Sequence, residues 1–452
     1  MALTRVFDIA RRSLSTYQYA MNIAAHNISN AGNENYSRQR ASLSTVTPEK
    51  NAGFIWGAGI KMDSIQRIRD GIIERQILTN QQSYSNNYKQ SQVLSQVEGV
   101  FSEPSELGIS NLMNQFFNNW NELSVTPNSV PLRNNVIYAA QNLSNKVASV
   151  NQDIDTIKYD IYKEFQQSAN NVNSYLKQLN QLNQQIYSFT GINQQPNDLL
   201  DTRDSVIQQL SKLVNTTVTY DNSGNAAVSI GGAFAVDGHT YTEFEVRLSN
   251  DKITLAPVGG DNPAKLSGGE MAAMAEIYNN KIPSYKNDLD NIFSQFVTQV
   301  NAIHQSGWTI EDTPRSNIKF FKEYTNGKLV IDNEILNDPK NIAVSADGTN
   351  GNGDIAVKLF ELSEAKNMSG TTFGNFYSSL MSKLGNDNSS ITNMTESSKL
   401  VLSQLENQRA SVSGVSVDEE MTEIIKFQKA YEASAKLISV SNEMLDTLIN
   451  LV

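Results

Sequence analysis

The chain has 452 residues, no cysteine, and 36 Lys and Arg against 47 Asp and Glu, for a net charge of −11. The missing cysteine excludes disulfides, thiolate metal sites and cysteine nucleophiles. The acidic balance argues against a nucleic-acid partner and a polybasic membrane contact, which both need clustered Lys and Arg. The length predicts about two to four domains at roughly 100–200 residues each.

No apolar run approaches the roughly 18–20 residues of a membrane span, so no membrane insertion is expected. Asp8, Arg11 and Arg12 interrupt the N-terminal apolar stretch. A cleaved secretory signal is therefore not expected, and export would take another route. The 39% hydrophobic content predicts narrow-striped, solvated helices, which suit an elongated bundle.

The first helix carries Phe7, Leu14, Met21 and Ile28 at seven-residue spacing, with Ala10, Tyr17, Ala24 and Ala31 as the second seam position. This is the pattern of a coiled coil. Asn30 to Asn33 ends it, with Gly32 expected as a left-handed cap. A helix over 64–100 is read from Ile65, Ile68, Ile72, Ile73 and Ile77. Leu112–Trp120 reads as a short aromatic helix. The stripe Ile154, Ile157, Ile161, Phe165, Val172, Leu176, Leu179, Leu182, Ile186 marks a very long one, and another helix runs from Pro196 to about Val214.

From Asn215 to Val258 the period drops to two. Val218, Tyr220, Val228, Ile230, Phe244, Val246, Leu248, Ile253 and Leu255 alternate with polar residues between turn signals such as Asp221–Gly224, Gly231-Gly232 and Asp237-Gly238. This predicts a small antiparallel meander. Leu289, Ile292, Phe296, Val300 and Ile303 mark a further helix. A turn-rich stretch from Ser306 to Ala356 contains a strand-like run, Lys328–Ile331, and a helix spans Leu400 to Val412.

After a break at Ser413-Gly414, Ser416 and Glu419 form a capping box for the last helix. Ile424, Tyr431, Ile438, Leu445 and Val452 recur every seven residues, flanked by Ala430, Leu437, Met444 and Leu451. A one-sided stripe of this length is marginal alone in water. The two terminal helices must pair with each other, pair with neighbouring copies, or pack on the body.

Little in the chain carries chemistry. His26, His239 and His304 lie in three separate segments, and structural roles are expected for His26 and His304. Asp198, Asp201 and Asp204 around Arg203 could act as an acid–base or metal group. Their place just after Pro196 favours a helix start. Asn350 to Glu361 matches the spacing of a calcium loop, but Ile355 stands where the loop needs glycine, so an ordinary turn is expected. No catalytic residue, metal or cofactor is assigned.

The motif Ala25–Gln39, ending Tyr36-Ser37-Arg38-Gln39, resembles the N-terminal signature of bacterial flagellar rod, hook and hook-associated proteins. Ser411–Met421 followed by Phe427–Tyr431 is similar to the C-terminal signature of that family. Internal stretches (Asn197–Asp204, Gly268–Glu270 to Ile282–Tyr285, Val300–His304, Asp338–Ala343) resemble the hook-associated branch that joins hook to filament. One departure is Asn35, where the family has glycine; Asn tolerates a left-handed backbone there. The chain is also short for the family, implying that an outer domain is absent or reduced to 215–258.

The resemblance implies a mainly α fold with a small β part: an elongated helical bundle with terminal coiled-coil helices and a small antiparallel β meander. Residues 1–40 and 412–452 would form the terminal-helix domain, 41–214 and 259–411 the bundle, and 215–258 the meander. Phe7, Leu14, Met21, Ile28, Ile424, Tyr431, Ile438 and Leu445 are the expected assembly interface. The implied partners are the hook protein, hook-associated protein 3, sister subunits in a ring, and an export chaperone at the C-terminal helix. The implied role is a structural, non-enzymatic part of a secreted flagellum, exported through its type III channel. The alternatives are hook-associated protein 3, another axial component, or a secreted wall hydrolase on a flagellar scaffold.

Overall fold

The computed structural model describes residues 2–51, 54–190, 195–221, 224–238, 240–310 and 317–450. The expectations for His239, Leu451, Val452 and parts of two turn-rich stretches lie outside these residues.

Helix α1 (Ala2–Ser29) ends where expected, but Gly32 is not left-handed. The Asn30 side chain donates to the His26 carbonyl instead. Asn35 is not left-handed either, and its N–H donates to Asn33 Oδ1 at 3.1 Å. The turn needs no glycine because Asn side chains hold it.

Four strands follow: β1 (Gln39–Thr45), β2 (Glu49–Asn51), β3 (Phe54–Trp56) and β4 (Ile60–Arg67). β1 pairs antiparallel with β4, and β2 with β3. Gly59, with φ +91°, lets this ribbon lie directly on Ile9 of α1. The ribbon corrects the helix read from residue 64: Ile65 is in β4 and Ile68 in the connection. Helix α2 (Gly71–Phe101) begins only after Asp70, whose carboxylate caps it through the N–H groups of Ile72 and Ile73.

Helix α3 (Ile109–Val125) is the aromatic helix, with Phe116, Phe117 and Trp120 buried. Helix α4 (Val130–Thr190) has 61 residues and spans roughly 90 Å at 1.5 Å per residue. Its stripe is buried from Val136 to Ile186 apart from half-buried Ile157. Helix α5 (Asn197–Leu213) returns alongside it.

The meander is two sheets rather than one. β5 (Thr216–Tyr220), β6 (Ala226–Ile230) and β7 (Ala233–Val236) form three strands, and β8 (Phe244–Ser249) pairs with β9 (Lys252–Pro257). Between the two sheets the chain folds back on β7 through a bridge between Val236 and Tyr241.

Helix α6 (Glu270–Glu276) runs through a π turn at Ile277–Lys281 into α7 (Ile282–His304). A hairpin of β10 (Phe321–Thr325) and β11 (Lys328–Ile331), then α8 (Asn333–Asn337) and α9 (Asp354–Glu361), close the far end of the bundle. One apolar core runs continuously through α2–α9, strands β5–β11 and the start of α10, while the β1–β4 ribbon lies outside it.

Helix α10 (Phe373–Ser413) has 41 residues. Apolar periodicity marks only its last turns, from Leu400, because its middle has no apolar repeat. Helix α11 (Val417–Ile449) packs along α1. Thus the architecture is mainly helical with small antiparallel sheets. Of the three arrangements left open for the terminal helices, they pair with each other, and α1 also rests on the β ribbon.

Candidate assembly interface

The terminal helices run antiparallel, since Asn27 meets Glu420 and Tyr17 stacks on Phe427 at 6.3 Å. On α1 the buried residues include Ala10, Thr16, Ala20, Ile23, Ala24 and Asn27. Among the described residues of α11 they are Glu420, Ser434 and Ser441, with Phe427 half-buried on the same seven-residue line. Small side chains occupy the closest approach. Phe7, Leu14, Met21, Ile28, Ile424, Tyr431, Ile438 and Leu445 flank it, and all eight are half-buried.

The pair also leaves large apolar side chains in solvent. Met421, Ile425, Leu437, Met444 and Ile449 are about half exposed or more. Beside the N-terminal end of α1, the β2–β3 hairpin exposes Phe54, Ile55 and Trp56 in succession, Ile55 at 77%. Arg5 holds this hairpin through the Trp56 ring face at 5.5 Å and Glu49 at 3.6 Å. Three successive exposed apolar residues contribute nothing to this chain's core. Contiguous exposure of this kind marks an interaction surface.

At its other end the pair is tied down by a polar anchor. Asn27 is 1% exposed and uses its whole amide. Nδ2 donates to the Gln39 carbonyl (2.8 Å) and Glu420 Oε2 (2.9 Å). Oδ1 accepts from Tyr36 OH (2.7 Å) and Gln39 N–H (3.0 Å). Arg38 bridges Glu420 (2.6 Å) and Glu419 (2.7 Å), and its N–H donates to the Ser413 carbonyl. Burial works against the Arg38 charge, but Glu420 and Glu419 outweigh it and raise its pKa. Burial, with Asp198, Asp201 and Glu420 nearby, also raises the Tyr36 hydroxyl, so it stays a donor.

Only half of the expected capping box forms. Ser416 Oγ accepts from Glu419 N–H at 3.5 Å, whereas the Glu419 carboxylate goes to Arg38.

α5 does begin just after Pro196 with Asp198 in its first turn, and its aspartates also complete the anchor. Pro196 is the N-cap position and makes no side-chain cap. Asp201 instead accepts from Ser37 N–H (3.0 Å), Ser37 Oγ (2.8 Å) and Arg67 (2.8 Å). Asp204 accepts from Arg67, Arg69 and Arg203. Asp198 accepts from Gln39 Nε2 at 2.9 Å. Burial pushes the Arg203 guanidinium down to about 10, with Arg67 and Arg69 adding to the effect. It remains a cation at neutral pH.

A cavity of about 1030 Å³ lies beside the anchor, bordered by Tyr36, Leu78, Tyr220 and Ala410. Its Arg67, Arg69 and Arg203 are already paired with Asp201, Asp204 and Glu74. The acidic group therefore holds the N-terminal arm to α5. Asp201→Asn is expected to cost about 2 kcal/mol, because a charge-assisted acceptor becomes a neutral one. Denaturant titration of the purified chain checks this, and a loss under 0.5 kcal/mol would show that the arm is held elsewhere.

The remaining sequence candidates are structural. His26 sits half-exposed with Nδ1 3.1 Å from Tyr36 OH. His304 lies in the core. Asp347 to Asp354 is a turn, in which Asp347 accepts from Thr349 N–H and lies below its ordinary pKa through that bond. Among the described residues no group of three His, Asp or Glu side chains is placed to hold a metal. None of the described helices is long and apolar enough to cross a membrane.

Residues 94–321 match the model of the flagellar hook-associated protein FlgK helical domain. The chain belongs to the FlgK family of flagellar hook-associated proteins. Residues 406–451, the end of α10 and α11, also match the C-terminal model of flagellar basal body rod FlgEFG proteins. Flagellar hook-associated protein 1 of Bacillus subtilis is 28% identical, with 98% of this chain and 97% of that protein covered. Its namesake in Escherichia coli is 23% identical over 99% and 100%. The flagellar hook junction protein FlgK from Burkholderia pseudomallei shares the fold at TM-score 0.65 and 14% identity, covering 75% of this chain and all of that one. FlgK-family membership makes the chain a structural component of the bacterial flagellum.

Proposed function

We infer that the terminal helix pair is the means by which this structural component of the hook–filament junction joins its neighbours. The observation that carries the reading is the pair itself. Both chain ends build one element, fixed by the anchor, yet large apolar side chains stay uncovered along α11 and on the β2–β3 hairpin. A helix pair that satisfied its own stripe would not leave Leu437 and Met444 in water. The occupants of this surface are proposed to be sister subunits in a ring, the hook protein on one side and hook-associated protein 3 on the other. The half-buried eight, Phe7, Leu14, Met21, Ile28, Ile424, Tyr431, Ile438 and Leu445, form the edges of that interface. The division into a terminal-helix domain, a two-halved bundle and a β part at 215–258 is proposed as the framework for this arrangement.

The role is proposed to be structural and not enzymatic. The acidic group on α5, the one candidate for a hydrolase, is committed to Ser37, Gln39, Arg67 and Arg69. Before export through the flagellar type III channel, α11 would be covered by a chaperone that reads its apolar face as a helix in a groove.

The test is made in the source bacterium. Deleting the gene is expected to leave hooks without filaments, with flagellin lost to the medium. Ile438→Asp is expected to reproduce this with the bundle still folded, since burying a charge in the interface costs several kcal/mol. Leu445→Glu is expected to weaken chaperone binding and assembly together. Normal swimming of Ile438→Asp would remove α11 from the interface.

A further inference from the structure

The middle of α10 differs from every other long helix in the chain. Its first turns are anchored by buried Phe373, Tyr377, Leu380 and Leu384. Its last turns are anchored by Leu402, which packs with Ile73 and Ile77 of α2, and by the Ser413 carbonyl at the anchor. Between them, none of residues 385–401 is buried. Ile391 is half-buried against the main core, while Met394 and Leu400 are exposed at 52% and 72%.

The same seventeen residues are poor helix formers: eleven are Gly, Asn, Asp, Ser or Thr. Such residues favour competing local hydrogen bonds or extra backbone freedom over the helix. Thr395 Oγ1 already bonds back to the Ile391 carbonyl at 2.8 Å, a contact that loosens helices slightly.

The seam to α2 is polar as well. Asn87 donates to Ser398 (3.2 Å), Ser91 meets Thr392 (2.9 Å), and Asn388 lies between Ser95 (3.2 Å) and Glu98 (2.6 Å). All but the first of these bonds are exposed, so water can replace each one at little cost. Asp387 is the exception: Tyr285 OH and Lys281 hold its carboxylate firmly at the N-terminal edge of the stretch.

We propose that residues 388–401 of α10 form a compliant strap that opens and recloses while the bundle core and the anchor stay folded. Both strap ends are fixed, one in the core and one beside the terminal pair, and α2 spans the same interval as one continuous helix, so opening the strap leaves the distance between them unchanged. The strap is a local opening in an otherwise fixed frame, since the anchor holds the terminal pair to α5 and α5 lies in the core. It stands whether or not the assembly surface proposed above is correct.

Hydrogen exchange on the full chain tests it. Amides of 388–401 are expected to exchange at least about 100-fold faster than those of Ile161–Leu182 in α4, through an opening insensitive to denaturant. Protection should rise again at Leu402–Ala410. A second protein carries Gly385→Ala, Ser389→Ala, Ser390→Ala and Ser397→Ala. A Cβ at Gly385 meets only Glu98 Oε1 at 3.9 Å, and the three serines are exposed. The added helix propensity is expected to slow strap exchange roughly tenfold or more, with rates around Asn27 and Gln39 unchanged. Protection equal to that of α4, or strap and anchor exchanging together in both proteins, would overturn the proposal.

Discussion

Replacing Asn27 by leucine is expected to destabilise the terminal pair by about 3–5 kcal/mol. Leucine fills nearly the same volume, so the loss is one of partners. Three buried groups lose their partner, the Gln39 N–H and carbonyl and one Glu420 oxygen, while the Tyr36 hydroxyl keeps His26 Nδ1 at 3.1 Å. Gln39 is 8% exposed and Glu420 3%, so water cannot easily replace what is removed. Each stranded buried group costs about 1–3 kcal/mol, more for a carboxylate, and relaxation recovers some of the sum. Hydrogen exchange should rise in α1 and in the first turns of α11, with α4 unaffected. Ser29→Ala, an exposed neighbour on the same helix, should stay within about 0.5 kcal/mol of the original protein. A loss under 1 kcal/mol for Asn27→Leu would mean that the apolar seam alone holds the pair.

The helical framework was largely legible because its signal is local. Seven-residue stripes marked both terminal helices, and the apolar ladder of α4 marked the longest one. Where local signals conflicted, the reading failed. Ile65, Ile68 and Ile72 have helical spacing, yet Ile65 is in a strand and Asp70 starts the helix. The middle of α10 has no apolar period, so most of a 41-residue helix went unread.

The anchor was hidden for a different reason. Ser37 meets Asp201 across 164 residues of chain, and Arg38 meets Glu420 across 382. No spacing rule reaches that far. The aspartates of α5 read as helix-terminal charge because their three-residue spacing is local, while the arginines that claim them lie on β4 and the loop after it. Resemblance to the flagellar signatures put both halves of the anchor in one domain, but did not say which of their residues meet. The stripe on α11 had a similar limit. Periodicity found the seven-residue repeat, but packing placed Glu420, Ser434 and Ser441 at the closest approach and left the larger Ile424, Tyr431, Ile438 and Leu445 at the rim, where a neighbour can cover them.

Lowering the pH should weaken the bundle through His304. The ring is 1% exposed, beside Trp120 and Phe320. Ala343 N–H donates to Nε2 at 2.9 Å, so Nε2 must be unprotonated, and Nδ1–H then donates to the Ile318 carbonyl at 2.9 Å. Burial pushes the pKa down to about 4, opposed by the Ile318 bond and aided by the charge of Arg133. Arg133 is itself lowered to about 10 by burial and stays charged. The unfolded chain takes up its proton near pH 6.5 and the folded one near 4. In between, the unfolded state binds more protons, so this contribution is complete above about pH 6.5 and is lost as pH falls toward 4. The loss amounts to about 3 kcal/mol at 1.36 kcal/mol per pKa unit. Carboxylates titrate in the same range, so the measurement is a difference between two proteins. His304→Gln should be less stable than the original at pH 7, and the gap should narrow by about 3 kcal/mol at pH 4 in denaturant titrations. A gap that stays constant across this range would mean that His304 accepts its proton as readily folded as unfolded, and that the Ala343 N–H does not hold Nε2 as an acceptor.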